Sequence, residues 1–256
     1  MNKSLLYDPE TERIDEINER LRLIQLSRGL TFGTDSYFLA AFARAKSSGV
    51  CVELGGGTGV VSLLMASREK FKTIHCAEIQ PYFASLIERN ARLNSLEERV
   101  IPLLADIREL SPSVIGGECD SVVSNPPYMK LSSGKTNLTP EMNTARREEN
   151  GGIVDFCSCA ARLLKHGGYF TVVYRPDRAA ELICAMKNTG IEPKRIVLLY
   201  PSAESKPCLM LAEGKKGAAE GVVFSRPLII YKNGCGGEYS RDMQSVYDNF
   251  SLEHLF

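Results

Sequence analysis

The sequence predicts a doubly wound α/β fold, with a mostly parallel sheet of seven strands and an antiparallel pair at one edge. The apolar run 50–54 passes through four glycines into the helical segment 60–66, which is the strand–turn–helix opening of a βαβ unit. Short apolar runs then alternate with segments of helical spacing. The runs 191–200 and 207–213 follow each other so closely that we expect them to pair antiparallel.

Ahead of the first parallel strand, the chain is expected to form a short helix, one further apolar element and a second helix. Residues 8–13 precede the short helix, and the apolar residues of 21–26 indicate a strand or a helix end packed on the domain. Thr34 or Asp35 is a good N-cap for an apolar helix from residue 37 to about 45, and such a helix N-terminus can face a polar ligand.

The rest of the chain continues the alternation. A helix over 151–165 is expected to stop at Gly167 and Gly168. The long polar stretch 129–150 predicts a substrate lid rather than a structural connection. The other predicted elements are strands at 72–78, 100–104, 119–124 and 169–174, helices at 81–94 and 177–188, and a polar tail after the apolar run 227–231.

Length and composition limit the domain organisation and the partners. The 256 residues fit one domain, with a short N-terminal extension over about 1–29 and a C-terminal tail over about 232–256. The formal net charge is zero, so a nucleic-acid partner must meet a local basic patch. The sequence has no signal-like or membrane-length apolar segment, which predicts a cytoplasmic protein without a membrane partner.

The cysteine and histidine residues do not indicate a metal site. Eight cysteines are scattered along the chain without a CxxC pair, and the three histidines stand apart from them. We therefore expect buried free thiols in a reducing compartment, rather than disulfides or a zinc ion.

Polar residues follow four of the predicted strands, and a doubly wound sheet binds its ligands at those carboxyl ends. They are Glu53 with the glycine loop after it, Glu78, Asp106 and Asn125. Glu78 falls about twenty residues beyond the loop, where a carboxylate can accept hydrogen bonds from two ribose hydroxyls. A solvated strand-end charge is an equally good interpretation of Glu78 alone, and Asp106 alone is equally consistent with a helix cap. No GK[ST] follows the glycines, so the loop is not a triphosphate-binding P-loop.

The tetrapeptide Asn125-Pro126-Pro127-Tyr128 is the most specific signal. Two prolines fix the backbone and remove two N–H donors, which leaves carbonyl oxygens at a rigid corner. The Asn125 side chain adds an acceptor beside the Pro126 carbonyl, and together they suit the two hydrogens of a planar NH₂ group. Tyr128 offers a face on which an aromatic ring can stack. A simple proline turn would require neither the asparagine nor the tyrosine.

In this order, the motifs resemble those of the S-adenosylmethionine-dependent amino-methyltransferases, which have a Rossmann-like class I methyltransferase fold. More narrowly, the chain is similar to the bacterial family of tRNA adenine-N6 methyltransferases that modify the base 3′ of the anticodon in a valine tRNA. That closer likeness covers roughly Arg22 to Asp248. It rests on the segments 32–35, 145–148, 174–176 and 211–217, which read FGTD, ARRE, YRP and LAEGKKG.

The resemblance implies a role for each candidate residue. Glu53 would lie near the ammonium group of S-adenosylmethionine, Glu78 would hold its ribose and Asp106 its adenine amine. A flipped target adenine would stack on Tyr128, with Asn125 and the Pro126 carbonyl accepting its amine hydrogens. The expected catalytic residues are Asn125, Pro126 and Tyr128. The expected cofactor-binding residues are Thr34, Glu53, Gly55, Gly57, Gly59, Glu78, Asp106 and Asn125, and the expected substrate-binding residues are Tyr128, Arg146 and Arg147.

A tRNA partner would need a localised basic surface. Lys130, Lys135, Arg146 and Arg147 lie in the polar stretch after Tyr128 and can supply one. A second group of basic residues either extends this surface or is simply solvated: Arg175, Lys194, Arg195, Lys206, Lys215 and Lys216. The sequence leaves the oligomeric state open between a monomer and a weak homodimer.

Other functions share parts of this pattern. A DNA amino-methyltransferase is one, but such enzymes usually add a target-recognition domain, and none is visible in this sequence. A protein glutamine-N5 methyltransferase of release factors would use the same Asn-Pro-Pro-Tyr chemistry on a side-chain amide, but such enzymes carry a sizeable helical domain ahead of the core. An rRNA amino-methyltransferase would differ only in the RNA. A catalytically idle binding module would have no need of intact Asn125, Tyr128 and Glu78.

Overall fold

The computed structural model describes residues 6–28, 33–127, 151–232, 234 and 236–256. The strands are β1 Glu12–Asn18, β2 Leu21–Leu26, β3 Lys46–Leu54, β4 Phe71–Glu78, β5 Val100–Leu104, β6 Cys119–Ser124, β7 Leu164–Tyr174, β8 Ile191–Tyr200, β9 Leu209–Lys216, β10 Val223–Phe224 and β11 Leu228–Ile229. The helices are α1 Thr34–Phe42, α2 Val60–Ser67, α3 Pro81–Leu93, α4 Ile153–Leu163, α5 Ala179–Asn188 and α6 Arg241–Asn249, with short 3-10 helices at Pro112–Ile115, Pro176–Arg178 and Glu253–Leu255.

The central sheet has the predicted doubly wound topology. Its seven long strands lie in the order β8-β9-β7-β6-β3-β4-β5, with β9 antiparallel to both of its neighbours. The expected α/β class, parallel core and antiparallel edge pair are therefore confirmed. The two-residue strands β10 and β11 add to the outer side of β8 and bring the sheet to nine strands, which the sequence pattern did not predict.

Helices cover the sheet on both faces. On one face, α1, α2 and α6 pack with Phe38, Leu63 and Met243 among their fully buried side chains. On the other, α4 and α5 bury Leu163 and Leu182 against the sheet. The buried strands read as near-continuous apolar runs because both of their faces lie under helices. No helix in the described part of the chain has the length and apolar character needed to span a bilayer.

The N-terminal residues form a β-hairpin, so the predicted short helix after Arg13 is wrong. β1 and β2 pair antiparallel in a sheet of their own. The outer edge of β2 is held by α3, because the Asn90 side-chain amide bonds both the N–H and the carbonyl of Ile24, at 2.6 and 3.0 Å. The same Asn90 amino group donates to the Thr58 carbonyl at 3.0 Å. One buried amide thus ties the hairpin to the glycine loop.

Three further expectations about element ends are corrected. The α1 N-cap is Gly33 rather than Thr34 or Asp35, and it makes no side-chain capping bond. Helix α4 ends at Leu163 and the chain passes directly into β7, so Gly167 does not stop a helix but lies inside a strand. The polar C-terminal tail contains α6, whose Met243 is fully buried, because one face of this otherwise polar helix packs on the core.

Candidate active site

The candidate site lies where the strand order reverses, at the carboxyl ends of β3 and β6. Leu54 and Ser124 are paired across these strands, and the Ser124 hydroxyl also donates to the Leu54 carbonyl at 2.8 Å. Gly55 and Asn125 follow directly, so that the glycine loop and the Asn-Pro-Pro corner leave neighbouring strands side by side. This is the crevice in which doubly wound sheets bind their ligands.

Glu78, at the end of β4, holds the glycine loop from the other side. Its Oε2 accepts from the Gly57 N–H at 3.0 Å, and its Oε1 accepts from the Gln80 N–H at 2.9 Å. The side chain is almost fully buried, and this burial raises its pKa, although the backbone N–H groups oppose the shift. Each carboxylate oxygen keeps a second lone pair with which it can accept a ribose hydroxyl.

The glycines of the loop differ in which atoms an added Cβ would contact. A Cβ on Gly56 would collide with the Cys76 sulfur, and one on Gly59 would lie 3.2 Å from Ile87, so these two make room for the protein itself. Gly57 has a φ of +54°, and no atom lies within 4 Å of the position that a Cβ would occupy. Gly57 therefore leaves a cradle beside Glu78 that a side chain would fill.

Glu53 is enclosed by the protein. Its Oε2 accepts from the Ser62 backbone N–H at 2.9 Å, from the Ser62 hydroxyl, and from the Cys76 thiol at 3.4 Å. Burial, with a smaller contribution from the nearby Glu78 charge, raises the pKa of Glu53 to about 7 against the lowering effect of the bonds from Ser62 and Cys76. Glu53 thus braces the first turn of α2 and can change its charge near neutral pH.

Asp106 follows β5 and is paired with Arg108. The Arg108 Nε donates to both carboxylate oxygens at 2.9 and 3.0 Å, and the Arg108 backbone N–H donates to Oδ1 at 2.9 Å. The hydrogen bond from the Arg108 side chain lowers the pKa of Asp106, so the group is a carboxylate at neutral pH. The Arg108 Nη2 also donates to Oδ2, so contacts from Arg108 occupy both carboxylate oxygens. Asp106 can accept an amino group in the adjoining crevice where Arg108 releases one of these contacts.

Asn125 is oriented by α1. Its Nδ2 donates to Oδ2 of Asp35 at 2.9 Å, while Oδ1 of Asp35 accepts from the Ser36 N–H at 2.9 Å. Asp35 lies in the first turn of α1, next to Thr34, which is exposed at the start of the helix. The sequence motif 32–35 pointed to this segment, but it did not predict contact between Asp35 and Asn125.

The predicted site residues fall into two groups. Those that the structure describes lie along one edge of the sheet: Thr34, Glu53, Gly55, Gly57, Gly59, Glu78, Asp106, Asn125 and Pro126. Tyr128, Arg146, Arg147, Lys130, Lys135 and the predicted lid over 129–150 lie outside the described residues.

The prediction that Arg195 belongs to the basic surface is wrong. Arg195 is buried and donates to both oxygens of the fully buried Glu213 at 2.8 and 2.9 Å, so it cannot be a surface contact for RNA. Lys215 pairs opposite Tyr169, toward the amino ends of the parallel strands and away from Asn125. Arg175 follows β7 at the carboxyl edge and is bound to Asp177, and Lys206 is exposed in the turn before β9.

The described residues fit a cationic, nucleoside-containing cofactor. Asp35, Glu53, Glu78 and Asp106 place four carboxyl groups along the edge, and the Gly57 cradle admits a ligand against the backbone. In the described ranges, no three His, Cys, Asp or Glu side chains converge as a metal site would require. Five of the seven described cysteines are buried: Cys51, Cys76, Cys119, Cys157 and Cys159.

The proteins that are similar to this chain in sequence are named as methyltransferases. The family model of the TRM5/TYW2 methyltransferase domain matches residues 40–158. A tRNA1(Val) (adenine(37)-N6)-methyltransferase of an Enterobacter species is 33% identical over 222 residues, which cover 86% of this chain and 87% of that protein. A protein of the same name from Porphyromonas gingivalis is 27% identical over 234 residues, 88% and 90% of the two chains.

Solved structures share the fold. A predicted O-methyltransferase from Agrobacterium tumefaciens superposes with a TM-score of 0.68 at 21% identity and covers 85% of this chain and 97% of its own. The tRNA m1G37 methyltransferase of M. jannaschii superposes with a TM-score of 0.58 at 17% identity, over 82% of this chain and 58% of its own. At these low identities, the superpositions show that the fold is shared, and they show nothing about the substrate.

Proposed function

Because the chain belongs to the tRNA1(Val) (adenine(37)-N6)-methyltransferase family, we propose that it transfers a methyl group from S-adenosylmethionine to N6 of an adenine in the anticodon loop of a tRNA. The observation that carries this proposal is the adjacency of two features. The Gly57 cradle beside Glu78 suits the cofactor, and the Asn125-Pro126 corner on the next strand suits an exocyclic amine.

The cofactor is assigned to the edge between β5 and β6. Glu78 accepts from the ribose hydroxyls and Asp106 from the adenine amine, while Gly55 and Gly57 let the methionine part approach the backbone. Glu53 and the exposed start of α1 at Thr34 lie toward the ammonium end. When bound, S-adenosylmethionine supplies an electrophilic methyl group on its sulfonium.

The target adenine is assigned to the Asn125-Pro126 corner. An exocyclic adenine nitrogen is a poor nucleophile because its lone pair is spread into the ring. The Asn125 Oδ1 and the Pro126 carbonyl each accept one amine hydrogen, which favours the pyramidal nitrogen needed for in-line attack. Positioning and charge distribution carry the step, with Tyr128 as the proposed stacking platform. As N6 binds the methyl carbon, the sulfur–methyl bond would break and the thioether product would leave. The surplus N6 proton would then pass to water, so no base need remove a proton beforehand.

A tRNA anticodon loop supplies a base that can be flipped at little cost, because it is already single-stranded. Contacts from Arg146 and Arg147, and from Arg175 and Lys206 at the carboxyl edge, are proposed for the RNA backbone. We further propose that the chain acts as one domain in the cytoplasm, as a monomer or a weak homodimer.

The test combines purified protein with methyl-labelled S-adenosylmethionine and separate pools of tRNA, rRNA, DNA and release factor. We expect label in tRNA alone, recovered as N6-methyladenosine from an anticodon loop. Mass spectrometry of tRNA from cells lacking the protein should show the same nucleoside missing. If every anticodon loop keeps its N6-methyladenosine while a release-factor glutamine loses its methyl group, the glutamine-N5 function replaces this one.

A further inference from the structure

We propose that Asp35 is a positioning residue, which fixes the Asn125 amide so that its oxygen, rather than its amino group, serves the target amine. The inference rests on the proposed role of Asn125 and deepens it. Its basis is the 2.9 Å hydrogen bond from Nδ2 of Asn125 to Oδ2 of Asp35.

The chemistry of the two side chains determines the direction of this bond. A carboxylate has no hydrogen to donate, so only the NH₂ side of the asparagine amide can face it. The amide carbonyl then points the other way. Rotated by half a turn, Asn125 would present two N–H donors to the target amine, which has hydrogens of its own to donate, and that arrangement would repel the substrate.

Asp35 is itself held in place for this contact. Its second oxygen, Oδ1, accepts from the Ser36 N–H at 2.9 Å, and Ser36 is almost fully buried in α1. A Cβ on Gly33 would lie 2.7 Å from the same Oδ1, so the residue before the helix must be small for the carboxylate to fit. The first turn of α1 therefore supplies a fixed acceptor to the corner after β6.

An exchange of the two side chains tests the proposal. Asn125→Asp alone places two carboxylates within hydrogen-bond distance, and the repulsion should lower kcat about 100-fold or more. Asp35→Asn combined with Asn125→Asp restores the bond with its donor and acceptor exchanged, and leaves the second Asp oxygen for the target amine. We expect kcat of the double variant to recover at least about tenfold over Asn125→Asp.

Single variants separate positioning from folding. Asp35→Ala should lower kcat about tenfold or more and leave the S-adenosylmethionine Kd within about twofold. Asp242→Ala is the matched control. Like Asp35, Asp242 lies in the first turn of a helix and accepts a side-chain hydrogen bond, in this case from Arg226. Its helix is α6, not α1. The kcat of Asp242→Ala should equal that of the wild type. If Asp35→Ala fails to fold, the exchanged pair decides the question alone.

The outcomes distinguish the two proposals. If Asn125→Ala keeps wild-type turnover, the role of Asn125 and the positioning by Asp35 both fail. If Asn125→Ala is impaired while the exchanged pair is no better than Asn125→Asp alone, only the positioning by Asp35 is overturned. Recovery in the exchanged pair supports it, because a role confined to helix α1 would not depend on residue 125.

Discussion

Glu78 and Gly57 are joined by a 3.0 Å hydrogen bond from the Gly57 N–H to the Glu78 carboxylate, across the turn between β3 and α2. The bond shapes the loop before any ligand is present, since it fixes the one loop glycine that faces open space. It also aims a strand-end carboxylate at that space. The residue proposed to bind the ribose is thus the residue that builds the cradle, so the two functions cannot be separated by changing Glu78.

Gly57→Val should therefore test the cradle more cleanly than a change at Glu78. The branched side chain fills the space of the ligand, and we expect calorimetry to detect no binding of S-adenosylmethionine. Gly116→Val is the matched control, because Gly116 also has a positive φ, of +78°, and open space around its Cβ, but follows the Pro112–Ile115 turn. Both variants place a β-branched residue at a positive φ. Equal loss of binding in both would mean that strain, not the cradle, is responsible.

Asn125→Ala should separate chemistry from cofactor binding. Removal of one acceptor from the target amine should lower kcat by two orders of magnitude or so, as for other transition-state hydrogen bonds. The S-adenosylmethionine Kd should stay nearly unchanged, because Glu78 and the glycine loop remain intact. Single-turnover methyl transfer to tRNA, with parallel calorimetry, measures both. Near-normal rates would show that this corner is not catalytic.

The parts of this molecule that could be predicted from sequence are those set by local patterns. Apolar runs ending in Glu53, Glu78 or Asn125 predicted strands and their functional ends, because strand period and glycine turns are short-range signals. The N-terminal hairpin was missed because it depends on a distant partner, the buried Asn90 amide that holds β2. Helix α6 was missed for a similar reason, because Met243 is buried against a core that other segments of the chain form. The contact of Asp35 with Asn125 spans 90 positions, beyond any local pattern.

The β1–β2 hairpin should lose stability in acid, because Glu12 then becomes protonated. Burial raises the pKa of Glu12, but the bonds from Arg89, the Asp8 N–H and Tyr82 outweigh it and lower the pKa to about 2. The folded state therefore binds fewer protons than the unfolded state, and the stabilisation is present above about pH 4.5 and lost toward pH 2. It amounts to about 3 kcal/mol at most.

Glu12→Gln should accordingly destabilise the protein by about 1–3 kcal/mol at pH 7 in urea, and by progressively less as the pH falls below 4.5. The control is Glu69→Gln, since Glu69 is exposed and its bridge to Arg99 is long, at 3.3 Å. That variant should stay near wild type at both pH values. A difference for Glu12→Gln that does not change with pH would contradict the lowered pKa.

Glu53 should produce the opposite pH dependence. Burial raises its pKa to about 7, so between about pH 4.5 and 7 the folded state holds a proton that the unfolded state has released. The free energy of unfolding should fall as the pH rises through this window, by up to about 3 kcal/mol. Glu53→Gln resembles the protonated acid, since its amide oxygen can accept the bonds from Ser62. The variant should match wild type at pH 5 and exceed it at pH 8.

Binding of the cofactor should lower the raised pKa of Glu53. The protons released on binding therefore give a second measurement on the same residue. Glu53 is about half protonated at pH 7, because its pKa is about 7. A cation at the ammonium position favours the carboxylate, so binding of S-adenosylmethionine at pH 7 should release up to about half a proton from Glu53 in the wild type, and Glu53→Gln should lack this release. Calorimetry in two buffers of different ionisation enthalpy counts these protons. Equal proton release from wild type and Glu53→Gln would show that the bound ammonium group does not lie against Glu53, whereas loss of the release with binding retained would place it there.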